Sequence, residues 1–208
     1  FRHTLDLILG ETDLIINGST GGASELSRDE RCVALTDPRV ELASLNMGST
    51  NFGEQVYINT VPDIRYWAGR IVEAGVVAEL EVFSTSMIET ARLLVAEGVL
   101  RTPLHFNVCL GFPGASPATP AYLRQFAQSF EAEESWGFLH EGMLDLRLAA
   151  GALGLGAGVL RVGYEDGGYL RRGRAARSNA ELVEELVRLI RAAGCEPATV
   201  TEAREILG

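Results

Sequence analysis

Lysine is absent from this 208-residue chain, so all 18 of its basic residues are arginine. The absence excludes enzymes that need a lysine side chain, such as Schiff-base aldolases, pyridoxal-phosphate enzymes and P-loop nucleotide hydrolases. Positive charge is scarce overall, with a net charge of −10 and an isoelectric point near 4.8. Because an acidic surface repels nucleic acid and anionic lipid, we expect no nucleic-acid or membrane partner.

Long hydrophobic stretches and closely spaced cysteines are missing as well. No apolar run reaches the roughly 18 residues of a membrane-spanning helix. The three cysteines, Cys32, Cys109 and Cys195, lie far apart and lack metal-ligand spacing, which is typical of free thiols in a reducing compartment. The sequence begins at Phe1, with neither a methionine nor the apolar core of a signal peptide. We therefore expect a cytoplasmic protein whose sequence starts here within a longer chain.

Short apolar segments alternate with amphipathic ones along the chain. The predicted strands are residues 14–16, 42–45, 76–83, 104–110, 136–139 and 159–162. Predicted helices cover 62–74 and 86–97, another runs from Thr119 to about 130, and two more begin at capping boxes at Ser178 and Thr199. Repeated strand–helix alternation predicts a parallel α/β fold. The alternation leaves two architectures open, a doubly wound sheet and a (β/α)₈ TIM barrel.

Polar side chains at the ends of two predicted strands could carry chemistry. Alternation places Arg161 and Glu165 on one face of the last strand, with Asp166 at its rim. One carboxylate there could hold a divalent metal, and the other, paired with the guanidinium, could act as a base. The alternative is an ion pair that only stabilises the strand end. Glu79 and Glu81 point to one side of an apolar strand, where a buried carboxylate is costly unless it is paired or functional.

Glycine-bearing polar loops follow the first two predicted strands. In residues 19–22, small hydroxyls and glycines would let backbone N–H groups approach an anion such as a carboxylate. Residues 46–53 form a second such strand end, and for both loops a purely structural turn is the alternative. Arginines also crowd residues 171–177, where they could meet the phosphates of a nucleotide-like cofactor or simply lie on a solvated surface.

Seven segments, taken in order, resemble the β-keto acid cleavage enzyme family, which includes the 3-keto-5-aminohexanoate cleavage enzymes of lysine degradation. The segments are INGSTGG, SLNMGSTNFG, ELEVF, GFPGASPAT, LRVGYEDGGYL, RSNAELV and EPATVTEAREILG. The resemblance implies a zinc-containing (β/α)₈ TIM barrel that assembles as a homotetramer. It also implies that a β-keto acid condenses with acetyl-CoA, and that retro-Claisen cleavage then gives acetoacetate and a new acyl-CoA.

The resemblance assigns roles to residues of this chain. Glu165 resembles the carboxylate ligand of the zinc ion, and Asp166 with Arg161 resembles the base dyad that deprotonates the keto acid. Glu81 resembles the family's polar active-site glutamate. The loop that holds the substrate carboxylate, with its neighbours at the next strand end, corresponds to Thr20, Gly21, Gly22, Ser44 and Asn46. Zinc would act as a Lewis acid on the ketone oxygen, in the place that a lysine iminium takes in other enzymes.

The sequence departs from the family pattern in ways that leave other functions open. The family takes two zinc ligands from a His-x-His motif near the end of an early strand, and this sequence contains no such motif. A barrel typically needs about 250 residues, so we expect residues 1–208 to be a single, N-terminally incomplete barrel domain that lacks its first two strand–helix units. The two histidines would then lie upstream of Phe1. The alternatives are a metal-free relative that binds an acyl-CoA or oxo acid without turnover, and another metal-dependent aldolase-like barrel.

Overall fold

The computed structural model describes residues 1–22 and 25–208. The α-helices in these ranges are α1 (Arg2–Glu11), α2 (Arg28–Arg31), α3 (Val61–Glu73), α4 (Ser86–Ala96), α5 (Pro120–Ala127), α6 (Arg147–Gly154), α7 (Asn179–Ala192) and α8 (Val200–Leu207). The strands are β1 (Ile16–Ser19), β2 (Val40–Asn46), β3 (Thr50–Phe52), β4 (Gln55–Tyr57), β5 (Val77–Val82), β6 (His105–Leu110), β7 (Ser135–His140), β8 (Val159–Leu160), β9 (Tyr169–Arg171) and β10 (Arg174–Ala175). A short 3₁₀ helix covers Val33–Thr36.

Six parallel strands form one sheet in the order β1-β2-β5-β6-β7-β8. Each strand pairs with the next sheet strand along the chain, so every crossover continues in the same direction across the sheet. Because such crossovers share one hand, their helices pack on one face and the sheet curls around the other. A doubly wound sheet would reverse its strand order partway. The order therefore confirms the predicted barrel architecture, with six of a barrel's eight strands present.

Alternate residues of the sheet strands face either the helices or the concave side. Leu45 and Leu80 are paired across β2 and β5, and both are fully buried against the helical layer. On the opposite face, the register pairs Asn46 with Glu81, and Glu81 with Asn107. The hydrophobic core thus lies between sheet and helices, and polar side chains collect on the concave face.

Helix ends agree closely with the capping residues predicted from the sequence. At Thr199 the capping box is complete, since its side chain accepts from the N–H of Glu202 and the Glu202 carboxylate accepts from the N–H of Thr199. At Ser178 the box is half formed, because the Glu181 carboxylate accepts from the N–H of Arg177 at 2.7 Å instead. The guanidinium of Arg177 also donates to the Glu181 carboxylate, which gives that carboxylate a charged partner that the capping bond would not provide.

The structure shifts one predicted strand and adds two hairpins that were not predicted. The first strand lies at Ile16–Ser19 rather than 14–16, because Leu14 is half exposed and pairing with β2 begins at Ile16. The sequence predicts no strand at the antiparallel hairpins β3–β4 and β9–β10, and β3 falls within residues 46–53, which are predicted as a polar loop. None of the helices in the two described ranges has the length and apolarity that a bilayer crossing requires.

Candidate active site

A cavity of about 930 Å³ lies on the concave face, at the carboxyl ends of the sheet strands. The rings of Phe52, Phe83 and Phe112 form an apolar wall, with the Phe112 centroid 5.1 Å from each of the other two. The charged residues in its described lining are Glu79, Glu81, Glu141, Arg161, Glu165 and Asp166. Carboxyl groups therefore outnumber guanidinium groups in that lining.

Arg161 and Asp166 form the central ion pair of the cavity. The guanidinium donates two hydrogen bonds to the Asp166 carboxylate, both of 2.8 Å, and the carboxylate is only 2% exposed. Burial raises the pKa of Asp166, and the bonds from Arg161 oppose that rise. The result is a carboxylate that is fixed in orientation and more basic than one in water. Those are the properties that a general base needs.

Glu81 faces the same guanidinium from strand β5. Its Oε1 lies 3.8 Å from Nη1 of Arg161, and its Oε2 accepts a 2.8 Å hydrogen bond from the amide of Asn46. Burial raises the pKa of Glu81 to about 7, and the neighbouring Glu79 adds to the rise while Arg161 opposes it. A carboxyl group with this pKa can both donate and accept a proton near neutral pH.

Glu79 lies one layer deeper in the sheet than Glu81. The amides of Asn17 and Asn107 donate to its two oxygens at 2.7 and 3.0 Å, so neutral donors bind it instead of a cation. Burial raises the pKa of Glu79 as well, and the hydrogen bond from Asn17 is the largest opposing effect. The two glutamates confirm that alternate positions of this strand share one face, since both line the cavity.

The loop after β1 reaches the cavity through its glycines. The N–H of Gly21 donates to Oγ of Ser19 at 3.0 Å, and the N–H of Gly22 donates to the Tyr57 hydroxyl at 3.3 Å. Thr20 turns away, because its side chain is fully buried and its hydroxyl donates to the carbonyl oxygen of Ser44 at 2.6 Å. The threonine hydroxyl therefore holds β1 to β2, and a substrate contact for it stays a prediction.

A buried arginine joins this loop to the β3–β4 hairpin. Arg31 donates from Nε to the carbonyl oxygen of Thr20 at 2.8 Å, and from Nη2 to Oδ1 of Asn59 at 2.6 Å. Its guanidinium lies 3.7 Å from the ring centroid of Trp67, so a cation–π contact covers its apolar side. Arg31 is 4% exposed, and it fixes the position of the loop relative to the hairpin.

The described residues do not fit a zinc site by themselves. Within residues 1–22 and 25–208, no group of three or more His, Cys, Asp or Glu side chains is arranged to hold a metal ion. Glu165, the predicted ligand, is 86% exposed and lies 3.3 Å from Nη2 of Arg161. Neither His105 nor His140 lines the cavity, and Nδ1 of His105 is bonded to Ser135 at 2.6 Å. Zinc dependence therefore stays a prediction from the family resemblance.

The structure brings most of the predicted site residues together. The cavity lining includes Gly21, Gly22, Ser44, Asn46, Glu81, Arg161, Glu165 and Asp166, and omits Thr20. The arginines of 171–177 lie outside it, where Arg174 and Arg177 pair with Glu181, as expected for a surface cluster. The prediction missed Tyr57, whose side chain reaches the cavity only because of the fold of the β3–β4 hairpin. It also missed Asn17, which alternation with Ser19 along β1 could have indicated.

The active sites of (β/α)-barrel enzymes lie at the carboxyl ends of the parallel strands, and here the cavity at that place contains the fixed pair of Arg161 and Asp166. The sequence profile of the β-keto acid cleavage enzyme family matches residues 1–208. The chain therefore belongs to that enzyme family, as the order of its segments predicts.

Two curated relatives and one solved structure illustrate the similarity. The 3-keto-5-aminohexanoate cleavage enzyme of Acetoanaerobium sticklandii is 41% identical over 94% of this chain and 71% of its own length. The 3-oxoadipate:acetyl-CoA acetyltransferase of Cupriavidus necator is 32% identical over 94% of this chain and 69% of its own length. The apo structure of ObcA matches with a TM-score of 0.78 and 21% identity, which concerns the fold alone, and covers 94% of this chain. The chain spans about half of that protein, 51% of its length.

Proposed function

We propose that the cavity binds a β-keto acid and acetyl-CoA and converts them to acetoacetate and a new acyl-CoA. The observation that carries the proposal is the buried, doubly hydrogen-bonded pair of Arg161 and Asp166 at the mouth of the barrel. The names of the relatives support the reaction class, since one is a 3-keto-5-aminohexanoate cleavage enzyme and another is a 3-oxoadipate:acetyl-CoA acetyltransferase.

The charge of the cavity supports a keto acid with an ammonium group on its side chain. The described lining residues place Glu79, Glu81 and Glu141 in the same cavity, and Arg161 is already bonded to Asp166. A second carboxylate, as in 3-oxoadipate, would add to the buried carboxyl groups, whereas an ammonium group would stabilise the ionised form of Glu81, whose pKa is raised by burial. We therefore favour a substrate like 3-keto-5-aminohexanoate, for which the Acetoanaerobium sticklandii relative is named.

The reaction begins with a proton transfer to Asp166. The carboxylate takes a proton from C2 of the keto acid, between its carboxylate and its ketone, while Arg161 holds the base in place. The C2 carbanion attacks the carbonyl carbon of the acetyl thioester, a carbon–carbon bond forms, and the carbon–sulfur bond breaks to release the CoA thiolate. Throughout, the loop with Gly21 and the side chain of Ser44 would hold the substrate carboxylate, while the amide of Asn46 positions Glu81 and Tyr57.

The second half of the reaction returns the proton. The CoA thiolate attacks the original ketone carbon, C3, and the C2–C3 bond breaks. The side-chain half leaves as an acyl-CoA, and C2 takes the proton back from Asp166 to give acetoacetate. Zinc as a cofactor, a cytoplasmic location and a tetramer stay predictions from the resemblance. Metal analysis of the purified protein would test for zinc, and light scattering would test for the tetramer.

An isotope experiment tests the carbon–carbon exchange directly. The purified protein is incubated with 3-keto-5-aminohexanoate and acetyl-CoA that carries ¹³C at its carbonyl carbon. The mechanism requires the label to appear at C3 of acetoacetate, as NMR would show, and an unlabelled acyl-CoA to form in equal amount. Unlabelled acetoacetate would overturn the condensation step. Binding of acetyl-CoA without any acetoacetate would favour the alternative, a relative that binds without turnover.

The base assignment predicts the effect of Asp166→Asn. Because the amide cannot take the C2 proton, kcat should fall by about 100-fold or more. Asp145→Asn is the matched control, since Asp145 pairs with Arg147 outside the cavity. A variant at Asp166 that keeps more than about a tenth of the wild-type kcat, measured by acetoacetate formation, would contradict the assignment.

A further inference from the structure

Tyr57 is a cavity residue whose hydroxyl oxygen is surrounded by hydrogen-bond donors. The oxygen accepts from the N–H of Gly22 at 3.3 Å, from Nη2 of Arg31 at 3.2 Å and from the amide of Asn46 at 3.2 Å. One of these donors is a buried guanidinium that carries a full positive charge. A phenol oxygen has two lone pairs, so these three donors share them and leave no acceptor capacity unused.

The hydroxyl hydrogen of Tyr57 is consequently left for a ligand. No acceptor for it is found within residues 1–22 and 25–208, and the side chain lines the cavity. Burial raises the pKa of Tyr57, so the phenol keeps its proton at neutral pH. A hydroxyl that accepts hydrogen bonds from a cation is polarised, and it becomes a stronger donor through that cooperativity.

The position of the hydroxyl indicates which part of a ligand it would meet. A Cβ atom built on Gly21 would lie 2.8 Å from the Tyr57 oxygen and 3.0 Å from Oγ of Ser19, so both hydroxyls stand directly beside the loop. The N–H groups of Gly21 and Gly22 already donate to these two hydroxyls. The loop therefore presents hydroxyl groups, rather than bare N–H groups, to the cavity.

We propose that Tyr57 is a substrate-binding residue whose hydroxyl donates to the carboxylate of the β-keto acid. Arg31 acts through it as a positioning residue, because its guanidinium is buried and polarises the tyrosine without reaching the substrate. The proposal rests on the proposed function in that it takes a β-keto acid as the substrate. It adds a specific carboxylate contact from the β3–β4 hairpin, a segment that is separate in sequence from the loop after β1.

Two ligands that differ in charge separate a carboxylate contact from a structural role. Acetoacetate and methyl acetoacetate share the same keto skeleton, but only the first carries a carboxylate. Their dissociation constants are measured by calorimetry for the wild type, for Tyr57→Phe and for Tyr169→Phe. Tyr169 provides a matched control, since it lies on β9 outside the cavity. Thermal melting of each variant checks that it is folded.

We expect Tyr57→Phe to weaken acetoacetate binding by about 10- to 100-fold, the range for a hydrogen bond to a charged group. Binding of the methyl ester should stay within about twofold, and Tyr169→Phe should change neither. Unchanged acetoacetate binding in Tyr57→Phe, or equal weakening for both ligands, would overturn the proposal. So would a wild type that binds acetoacetate no better than the ester. These measurements need no acetyl-CoA and no turnover, so they stay distinct from the labelling test of the proposed function.

Discussion

At the scale of single residues, the cavity holds carboxyl groups in an environment that disfavours their charge. Glu81 has a side chain only 13% exposed, and its nearest cation, Arg161, is already bonded to Asp166 at 2.8 Å. The guanidinium therefore compensates Glu81 incompletely at 3.8 Å, and burial dominates its pKa. Such a group lowers the stability of the folded protein when it is ionised. Carboxyl groups of this kind occur at active sites that exchange a proton near neutral pH.

Glu81→Gln should remove a pH dependence of stability. The carboxyl pKa is about 7 in the folded protein and 4.5 in the unfolded chain, so the folded state holds the proton more tightly. Stability from this group is present below pH 4.5 and is lost as the pH rises through 7. The variant should therefore match the wild type near pH 4.5 and exceed its free energy of unfolding by up to about 3 kcal/mol at pH 8. Urea unfolding at several pH values measures this difference.

An exposed glutamate provides the comparison for that measurement. Glu89→Gln removes a 70% exposed carboxylate on α4 that pairs with Arg92. It should leave the slope of stability between pH 4.5 and 8 as in the wild type. If Glu81→Gln also kept the wild-type slope, burial would not control the proton of Glu81.

At the scale of elements, the sequence predicts those that are apolar or well capped and misses those that depend on distant partners. The five longer predicted strands lie within about two residues of their observed positions, and four of them contain buried side chains, β8 being the exception. The β3–β4 hairpin has mostly exposed residues and no strand pattern. It is placed by Phe52 packing on Phe112 and by Tyr57 meeting Arg31, contacts that no local pattern encodes.

The residues of the candidate site also divide into those that local sequence predicts and those that depend on distant partners. Arg161, Glu165 and Asp166 could be predicted because they follow an apolar strand, where barrel sites form. The orientation of Thr20 could not, since the choice between cavity and strand pairing depends on the carbonyl of Ser44 on the neighbouring strand. Local sequence thus identifies which strand ends carry the chemistry. Tertiary contacts decide which side-chain atoms there can still contact a ligand.

Helix α3 offers a test of backbone freedom within one element. Gly69 lies inside the helix, and a Cβ atom built there meets nothing within 4 Å. Gly69→Ala should raise the free energy of unfolding by about 0.5–1 kcal/mol, because alanine has less entropy to lose on forming a helix. Chemical denaturation of the purified variant measures the change.

Gly75, just past the end of the same helix, is the matched opposite case. Its surroundings are equally open, but its φ of 69° is one that alanine rarely adopts. Gly75→Ala should therefore lower stability by roughly 1 kcal/mol. If both substitutions shifted stability in the same direction, backbone conformation would not control stability at these positions.

At the scale of the whole molecule, the end of the chain is tied back to its beginning at the amino ends of the strands. Arg204 on α8 donates to both oxygens of Glu41, at 2.6 and 2.8 Å, and to the carbonyl oxygen of Asp13 at 2.9 Å. Glu41 belongs to β2, and Asp13 precedes β1. The helix thus lies at the end of the sheet opposite the cavity, where barrel residues serve stability rather than catalysis.

Arg204→Ala should lower stability without affecting ligand binding. The pair with Glu41 is 41% and 37% exposed, so solvent screening keeps its contribution small even with two-point geometry. Arg188→Ala removes a similarly exposed pair with Glu185 within α7, and since that pair joins no distant segments its loss should be near zero. About 1 M salt should erase the difference between the two variants, because the screening length falls to about 3 Å. Equal losses for both at low salt would mean that the tie between α8 and the first strands adds nothing to the stability of the barrel.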